Sequence, residues 1–359
     1  MAINDFLERA VSAIEQNHSF QESLGQKLSF LKNGDAPGSE EKIVSPVRSA
    51  NVSTKVAGVD SGFVQKKLSF IDLLVVRSVG AIFNYEGGVM KKAEYYPKAF
   101  SLPEPVLLRT GLEHDEKEQS CSLERLRREV QTSIDIIEKH RPEFLFIDGS
   151  IVPQYQDRPR KESSVNRDYH SIVDRFQKLY SAAEKNGCML IACVEDSRGS
   201  RFRQLLEEII QGTAARGTDL GFAFDSCFLD YFLEEGERTF AFPYTNNVES
   251  HAILKDYAKE WSESIYVMYM KVSSFDVPLR MEFICKKSGK ESVKECADRI
   301  SSLVYSLSSL HKEYTYPSVL IDADMRAGLR PEEISIIYDK LIDRLGAKVR
   351  MRRNSRPFK

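Results

Sequence analysis

The sequence of 359 residues lacks a charge excess, a long apolar run and a metal-binding cysteine pattern. Lys and Arg number 51 against 53 Asp and Glu, so any site for a polyanion has to be local. No apolar run approaches the roughly 20 residues of a bilayer span, and the first residues lack the apolar stretch of a signal peptide. The six cysteines form no CxxC motif, which argues against a zinc site or a disulfide framework. We therefore expect a soluble, cytoplasmic protein without membrane contact.

The order of the apolar patterns predicts an α/β protein with a helical arm at its start. Residues 3–33 carry apolar positions at helical spacing in two segments, and residues 35–53, rich in Pro, Gly, Ser and Glu, are interpreted as a linker or long loop. Strands then precede helices and later alternate with them, which indicates a mixed sheet with helices on its faces. We expect an arm and linker at 1–54, a main domain at 55–345 and a basic tail at 346–359.

Individual elements follow from the same patterns. The four apolar residues at 144–147 are typical of a central strand that is buried on both faces. Two strands on either side of Glu86-Gly87-Gly88 indicate a hairpin. The predicted strands are 56–59, 73–85, 89–96, 144–147, 189–194, 265–271 and 278–285. The predicted helices are 122–139, 166–186, 200–211, 225–234, 291–309 and 331–345.

Two of these strands end in an aspartate followed by small residues, at Asp60-Ser-Gly and Asp148-Gly-Ser. Ligands of open α/β sheets lie beyond the carboxyl ends of the strands, so the two carboxylates converge if the strands are neighbours. Two like charges about 4 Å apart repel by about 4 kcal/mol at an effective dielectric near 20, and a divalent cation removes this conflict. Oxygen ligands without His or Cys favour magnesium or manganese.

A third carboxylate is expected from the helix that precedes Asp148. Glu129 lies at the edge of the apolar stripe of this helix, and Glu124 is the second candidate. The alternative for the aspartates is that they cap turns, and the alternative for the glutamates is an exposed position on the surface.

From about Lys55 onward the sequence resembles the NurA nuclease family of DNA-end resection systems in archaea and some bacteria. The motifs that carry the resemblance are Gly58-Val-Asp-Ser-Gly62, Phe146-Ile-Asp-Gly-Ser150, Asp225, Leu233-Glu-Glu-Gly-Glu-Arg238, Met270-Lys271, Leu279-Arg-Met-Glu282, Tyr316-Pro317 and Leu320-Ile-Asp-Ala323. The resemblance implies an RNase H-like fold and a manganese-dependent site, with magnesium as the alternative metal. It implies that Asp60, Glu129 and Asp148 are metal ligands and that Tyr316 lines the site.

The resemblance also implies an activity and partners. Family members are 5′–3′ exonucleases and single-strand endonucleases that act on linear DNA ends and on single-stranded DNA. They work as homodimers in the resection of double-strand breaks, together with a HerA-type hexameric translocase. We therefore expect metal-assisted hydrolysis of phosphodiester bonds.

The sequence departs from the family pattern at two positions. The histidine that commonly follows the Tyr-Pro motif is absent, and the corresponding segment carries Asp324. An aspartate can ligate a metal ion but cannot act as an imidazole acid or base near neutral pH. Glu195-Asp196 replace a lysine-containing segment of the family, and Arg198 and Arg201 lie close enough in sequence to restore phosphate contacts.

Local basic residues are needed to contact DNA. Seven basic residues and no acidic one lie between Arg344 and Lys359, a composition that favours salt-sensitive phosphate contact, although a solvated terminus is the alternative. The expected DNA contacts are Arg198, Arg201, Lys271, Arg280, Arg350, Arg352 and Arg353. Two other functions stay open: a catalytically weak family member that binds DNA ends or regulates a translocase, and an actin-like or sugar-kinase-like ATPase, which lacks support because a second glycine-rich phosphate loop is missing.

Overall fold

The computed structural model describes residues 2–38, 40–68, 72–213, 216–221, 224–286, 289 and 291–346. Its helices are α1 (Ala2–Leu28), α2 (His114–His140), α3 (Asn166–Asn186), α4 (Arg201–Ile210), α5 (Asp225–Phe232), α6 (Lys259–Ser262), α7 (Val293–Ser308), α8 (Ser318–Ala327) and α9 (Pro331–Leu345). Its strands are β1 (Val44–Pro46), β2 (Lys55–Lys67), β3 (Asp72–Glu86), β4 (Val89–Tyr96), β5 (Glu104–Leu107), β6 (Phe144–Asp148), β7 (Met189–Val194), β8 (Glu237–Thr239), β9 (Phe242–Pro243), β10 (Ile265–Lys271) and β11 (Leu279–Ile284). None of the described helices combines the length and the apolar content that a membrane span requires.

The predicted elements agree closely with this structure. The bounds of α3, β7, β10 and α9 are those expected from the sequence. Helix α2 begins at His114, eight residues before the predicted start at 122, because Glu113 and Glu116 form a capping box there. It ends before Pro142, as predicted, with Arg141 in the left-handed conformation. The two segments expected within 3–33 are one long helix, α1, followed by a short 3₁₀ helix at Ser29–Asn33.

The chain forms two compact units, each assembled from three separate stretches of sequence. Unit 1 comprises the described parts of 1–51, 193–246 and 264–317. Unit 2 comprises the described parts of 52–192, 247–263 and 318–346.

Unit 2 is built on strands in the order β4-β3-β2-β6-β7, with β5 paired to the free half of β3. Strand β2 runs antiparallel to β3 along its whole length, and β3 runs antiparallel to β4. Strand β6 runs parallel to β2 and is apolar from Phe144 to Ile147, because both of its faces are covered. This order and these directions confirm the expected RNase H-like mixed sheet flanked by helices.

Helix α8 lies directly on β2 because two glycines leave room for its backbone. A Cβ atom at Gly58 would lie 2.8 Å from the carbonyl oxygen of Val319, and one at Gly62 would lie 2.8 Å from that of Ala327. Alternate residues of a strand point to the same face, so Asp60, between these glycines, points to the face that α8 covers.

Helix α2 covers the opposite face of the same sheet. Gly80 of β3 pairs with Val59 and lies against Ile136 of α2, where an added Cβ would clash with the side chain. The buried residues of α2 include Leu126, Val130 and, as a charged exception, Glu129. The two helices therefore bring acidic side chains toward β2 from both faces.

Unit 1 carries strands in the order β1-β8-β10-β11, with β9 also paired to β10. Its core joins the second half of α1 to α4, α5 and the strands. The aromatic members of this core are Phe202, Phe228, Phe232, Phe240, Phe242 and Tyr269. Leu24 and Leu28 fix the end of α1 in the same core.

The stretch interpreted as a linker, 35–53, is partly packed within unit 1. Strand β1 pairs with β8, and Glu40 is buried in an ion pair with Arg238 at 2.8 Å. A composition rich in Pro, Gly and Ser indicates that the hydrophobic periodicity of a long helix or strand is absent. It does not exclude a three-residue strand or a buried carboxylate. This part of the chain is therefore not a free linker.

We predict that Gly58→Ala lowers the free energy of unfolding by about 1–3 kcal/mol. The added Cβ meets the α8 backbone, which cannot rotate away as a side chain can. Gly212→Ala is the matched control, because its Cβ would lie 3.7 Å from its nearest neighbour, the carbonyl oxygen of Ile209. Urea denaturation of both variants measures the difference, and equal losses would contradict the close approach of α8 to β2.

Candidate active site

Asp60 and Asp148 lie side by side where the parallel pairing of β2 and β6 ends, although Asp148 is the last residue of β6 and β2 continues beyond Asp60 to Lys67. Val59 of β2 pairs with Ile147 of β6, and the aspartates follow directly. Asp60 is 5% exposed, and Asp148 is partly exposed. Gly149 follows with φ of +86°, a conformation that favours glycine and turns the chain away after the carboxylate. The two carboxylates therefore lie close together as expected, but the predicted strand end at Asp60 is wrong, because β2 continues to Lys67 as the antiparallel partner of β3.

Glu129 reaches the same place from α2 and is 1% exposed. Its Oε2 accepts hydrogen bonds from the Ser61 hydroxyl and from Nη1 of Arg125, the latter at 2.6 Å. Arg125 Nη1 also donates to Ser61 Oγ at 3.1 Å. These donors compensate for the removal of a carboxylate from water, which is costly without a partner.

Glu124, the second candidate for the third carboxylate, is occupied elsewhere. It pairs with Arg127 and Arg128 on its own helix. Of the two glutamates, Glu129 is therefore the one that lies near Asp60 and Asp148.

The carboxylates share one negative field. Burial, together with the charges of Asp148, Glu129 and Asp324, raises the pKa of Asp60 to about 8. Burial also raises the pKa of Glu129, and the charge of Arg125 opposes this. Asp324 belongs to α8 and is exposed, but it is close enough to contribute to the shift at Asp60.

The donor set suits a hard divalent cation. All its donors are carboxylate oxygens, which magnesium and manganese prefer. Burial, and then the charges of the neighbouring carboxylates, raise the pKa of Asp60, and a cation at this place would favour its ionised form. Within the described ranges, no three acidic, His or Cys side chains are grouped as ligands of one ion in the present arrangement. Glu129 Oε2 instead accepts hydrogen bonds from Arg125 and Ser61.

Tyr316 belongs to unit 1, where it is buried. Its hydroxyl donates to the carbonyl oxygen of Cys193 at 2.9 Å, and its ring stacks on Tyr314 with centroids 5.9 Å apart. The neighbouring Tyr314 hydroxyl bonds to Glu195. Tyr316 thus has a defined place in unit 1, and its role in catalysis stays a prediction.

Two of the expected DNA contacts are corrected by their burial. Lys271 forms an ion pair with Asp230 and also donates to its carbonyl oxygen. Arg280 donates from Nε to Glu282 at 2.8 Å and from Nη1 to the Tyr269 hydroxyl at 3.0 Å. Both side chains are enclosed in unit 1, so we do not retain them as DNA contacts. Spacing in the sequence cannot distinguish such buried ion pairs from exposed basic residues.

The remaining basic candidates differ in their surroundings. Arg198 is exposed, and Arg201 is partly exposed at the start of α4. Arg350, Arg352 and Arg353 lie outside the described residues.

Sequence reasoning missed Ser61 and Arg125. Ser61 belongs to the Asp-Ser-Gly motif but was interpreted only as a small residue. Arg125 precedes Glu129 by four residues, the spacing of an ion pair on one helical face, and this spacing could have indicated it.

We predict that the metal-free protein loses stability as the pH rises from about 4 to about 8. The pKa of Asp60 rises from 3.8 to about 8 on folding, so its contribution is complete below the lower value and is lost through the upper one. Asp60→Asn removes this titration. It should reduce the total change in the free energy of unfolding over this pH range by an amount on the order of a few kcal/mol. Urea midpoints in EDTA across this range measure it, with Asp174→Asn, at an exposed position, as the control. Parallel curves for wild type and Asp60→Asn would contradict the prediction.

Comparisons with known proteins agree on one family. The model of the NurA domain family matches residues 54–329. The fold is similar to that of the NurA nuclease from Sulfolobus solfataricus, with a TM-score of 0.60 at 16% identity over 96% of this chain and 98% of that chain. Two further crystal structures of NurA, the second with manganese, give TM-scores of 0.52 at 10% and 11% identity, over 96% of this chain and 98% and 99% of theirs. No sequence among the curated proteins matches this chain. Because the family model spans most of the sequence, the chain belongs to the NurA domain family.

Proposed function

We propose that this protein is a metal-dependent deoxyribonuclease that hydrolyses phosphodiester bonds. The observation that carries the proposal is the grouping of the buried Asp60 and Glu129 with the partly exposed Asp148 in a NurA domain. Such a cluster lowers the stability of the metal-free fold, so a role in packing does not explain its presence, and a role in binding a ligand is needed. Binding of a divalent cation and a phosphodiester would be that role.

Asp60, Glu129 and Asp148 would hold the ion, and Asp324 would add an oxygen from the exposed side. We propose manganese as the metal, with magnesium as the alternative, in line with the similar NurA structure that contains manganese. A bound ion of this kind activates water and stabilises the oxygen that leaves. The residues of the chain orient the carboxylates, and α8 limits the access of water to Asp60.

The finer activity rests on family resemblance. We propose 5′–3′ exonuclease and single-strand endonuclease activity at linear DNA ends, in the resection of double-strand breaks in the cytoplasm. A HerA-type hexameric translocase would be the partner. Arg198, Arg201 and the basic tail would contact DNA phosphates without regard to sequence.

A catalytically weak family member is the second candidate. Asp324 occupies the segment where the family commonly has a histidine, and an exposed carboxylate does not replace imidazole in proton transfer near neutral pH. Cleavage of DNA by the wild type distinguishes the two candidates.

We predict that Asp60→Asn and Asp148→Asn each lower the rate of DNA cleavage by at least about a hundredfold, because each removes a charged ligand of the ion. Release of nucleotides from linear single-stranded DNA with manganese, and its loss in EDTA, measures the activity. Asp174→Asn changes an exposed carboxylate of α3 and should keep the wild-type rate. Near-normal cleavage by a folded Asp60→Asn or Asp148→Asn variant would refute the site, and the absence of cleavage by the wild type would favour the weak member.

We further propose a homodimer joined through the first half of α1. Ile3, Phe6, Leu7, Val11 and Ile14 are each more than half exposed, although they continue the helix that Leu24 and Leu28 anchor in unit 1. An apolar stripe of this length on an exposed helix is a surface for association. A second copy offers the same stripe, so an isologous contact covers both.

We predict that Phe6→Glu together with Leu7→Glu halves the molar mass in solution, because charges then enter the contact. Light scattering measures the mass. Ser12→Glu with Gln16→Glu adds the same charges to exposed polar positions of α1 and should leave the dimer intact. A dimer that survives the first pair of changes would place the contact elsewhere.

A further inference from the structure

Arg125 is the basic side chain that lies inside the carboxylate cluster. Its Nη1 donates to Glu129 Oε2 at 2.6 Å and to Ser61 Oγ at 3.1 Å, and the charges of Asp60, Asp157 and Asp148 also act on it. The side chain keeps 26% of its surface exposed, whereas that of Glu129 keeps 2%. Arg125 therefore joins the buried carboxylates to the open side of the site.

A guanidinium and a divalent cation compete for the same oxygen. Glu129 Oε2 already accepts from Ser61 and Arg125, and an ion bound there would have to take the place of one of them. The Ser61 hydroxyl is neutral and can stay beside an ion, while a second positive charge is repelled by it. An ion that binds Oε2 would therefore displace the guanidinium.

The neighbouring arginines of α2 do not share this position. Arg127 pairs with Glu124, and Arg128 pairs with Glu124 and Glu104. Both bind carboxylates that are not expected to hold an ion, so neither would be displaced when one binds.

We propose that Arg125 is an internal counter-ion that the metal displaces from Glu129, and that the displaced guanidinium then binds a phosphate of the DNA strand. The proposal rests on the proposed nuclease function. A guanidinium binds phosphate through two parallel N–H donors, and within the described residues Nε and Nη2 of Arg125 make no hydrogen bond to the protein. The exposed part of the side chain gives it room to turn outward.

This exchange couples the two ligands. Without metal, Arg125 remains on Glu129 and contributes nothing to the binding of DNA. With metal, it is released and adds one phosphate contact, so metal and DNA strengthen the binding of each other by the same factor.

The first experiment measures the affinity for Mg²⁺ by calorimetry with Arg125→Gln. It is carried out above the pKa of Asp60, which is raised to about 8, so that protons do not compete. We expect roughly tenfold tighter binding than in wild type, because no positive charge has to be displaced. Arg128→Gln, at the neighbouring arginine of α2, should bind Mg²⁺ as the wild type does.

The second experiment measures the binding of a short single-stranded oligonucleotide with phosphorothioate linkages, in Ca²⁺ and in EDTA. Arg125→Gln should bind roughly tenfold more weakly than wild type in Ca²⁺ and equally in EDTA. In Ca²⁺, its slope of log affinity against log salt should be shallower by about 0.7, the value for one lost phosphate contact on a single strand. If Arg125→Gln does not fold, Arg125→Lys keeps the charge but lacks the two parallel N–H donors of the guanidinium. It should show a smaller loss of DNA affinity, again only in Ca²⁺.

Two results would overturn the proposal. One is Mg²⁺ binding by Arg125→Gln that is no tighter than in wild type. The other is a loss of DNA affinity that persists in EDTA, since Arg125 would then contact DNA without being displaced. A wild-type chain that binds no DNA in either condition would instead refute the proposed function and the phosphate contact with it, while the calorimetry would still decide the displacement.

Discussion

Repulsion between buried carboxylates is the constraint on which the rest of unit 2 depends. Parallel strands β2 and β6 pair as far as Val59 and Ile147, so Asp60 and Asp148 are brought together by backbone hydrogen bonds that their charges cannot prevent. Glu129 adds a third carboxylate from α2. The fold tolerates the cluster because Ser61 and Arg125 bind Glu129 and because the pKa of Asp60 is high enough for it to hold a proton. The burial and mutual repulsion that oppose the ionisation of Asp60 are thus concentrated in one group of side chains.

In unit 1, buried arginines are paired with carboxylates. Arg238 is fully buried between Glu40 and Asp298, and Arg280 is enclosed by Glu282 and Tyr269. Each arginine has a carboxylate partner at short range, so these networks are balanced. Buried pairs of this kind add little net stability but are costly to break from one side. They specify how the strands of unit 1 pack, whereas the unbalanced cluster of unit 2 is suited to a ligand.

Much of this could be predicted from the sequence, and the exceptions have physical reasons. Strands such as β7 and β10 have clear apolar runs. Asp60 and Asp148 were predicted as site residues because each follows an apolar run and precedes small residues. Helix α8 was missed because its apolar period, Val319, Leu320, Ala323 and Ala327, is short and relies on alanines, whose small side chains suit the close approach of its backbone to Gly58 and Gly62. The interior position of Arg280 was missed because its pairing with Glu282, two residues further along the same strand, has the same spacing on a buried and on an exposed strand face. The interior position of Lys271 was missed because its partner lies on another part of the fold. That partner, Asp230, is 41 residues from Lys271 in the sequence.

The assembly of each unit from three separate stretches has a consequence for synthesis. The chain leaves the ribosome from its first residue onward, and β2 with Asp60 emerges long before α8 with Asp324. Unit 2 therefore lacks the helix that covers Asp60 until residue 327 has been made. A chain that is interrupted earlier carries Asp60 and Asp148 but not Asp324, and so the full group of acidic side chains is present only after α8 has been made.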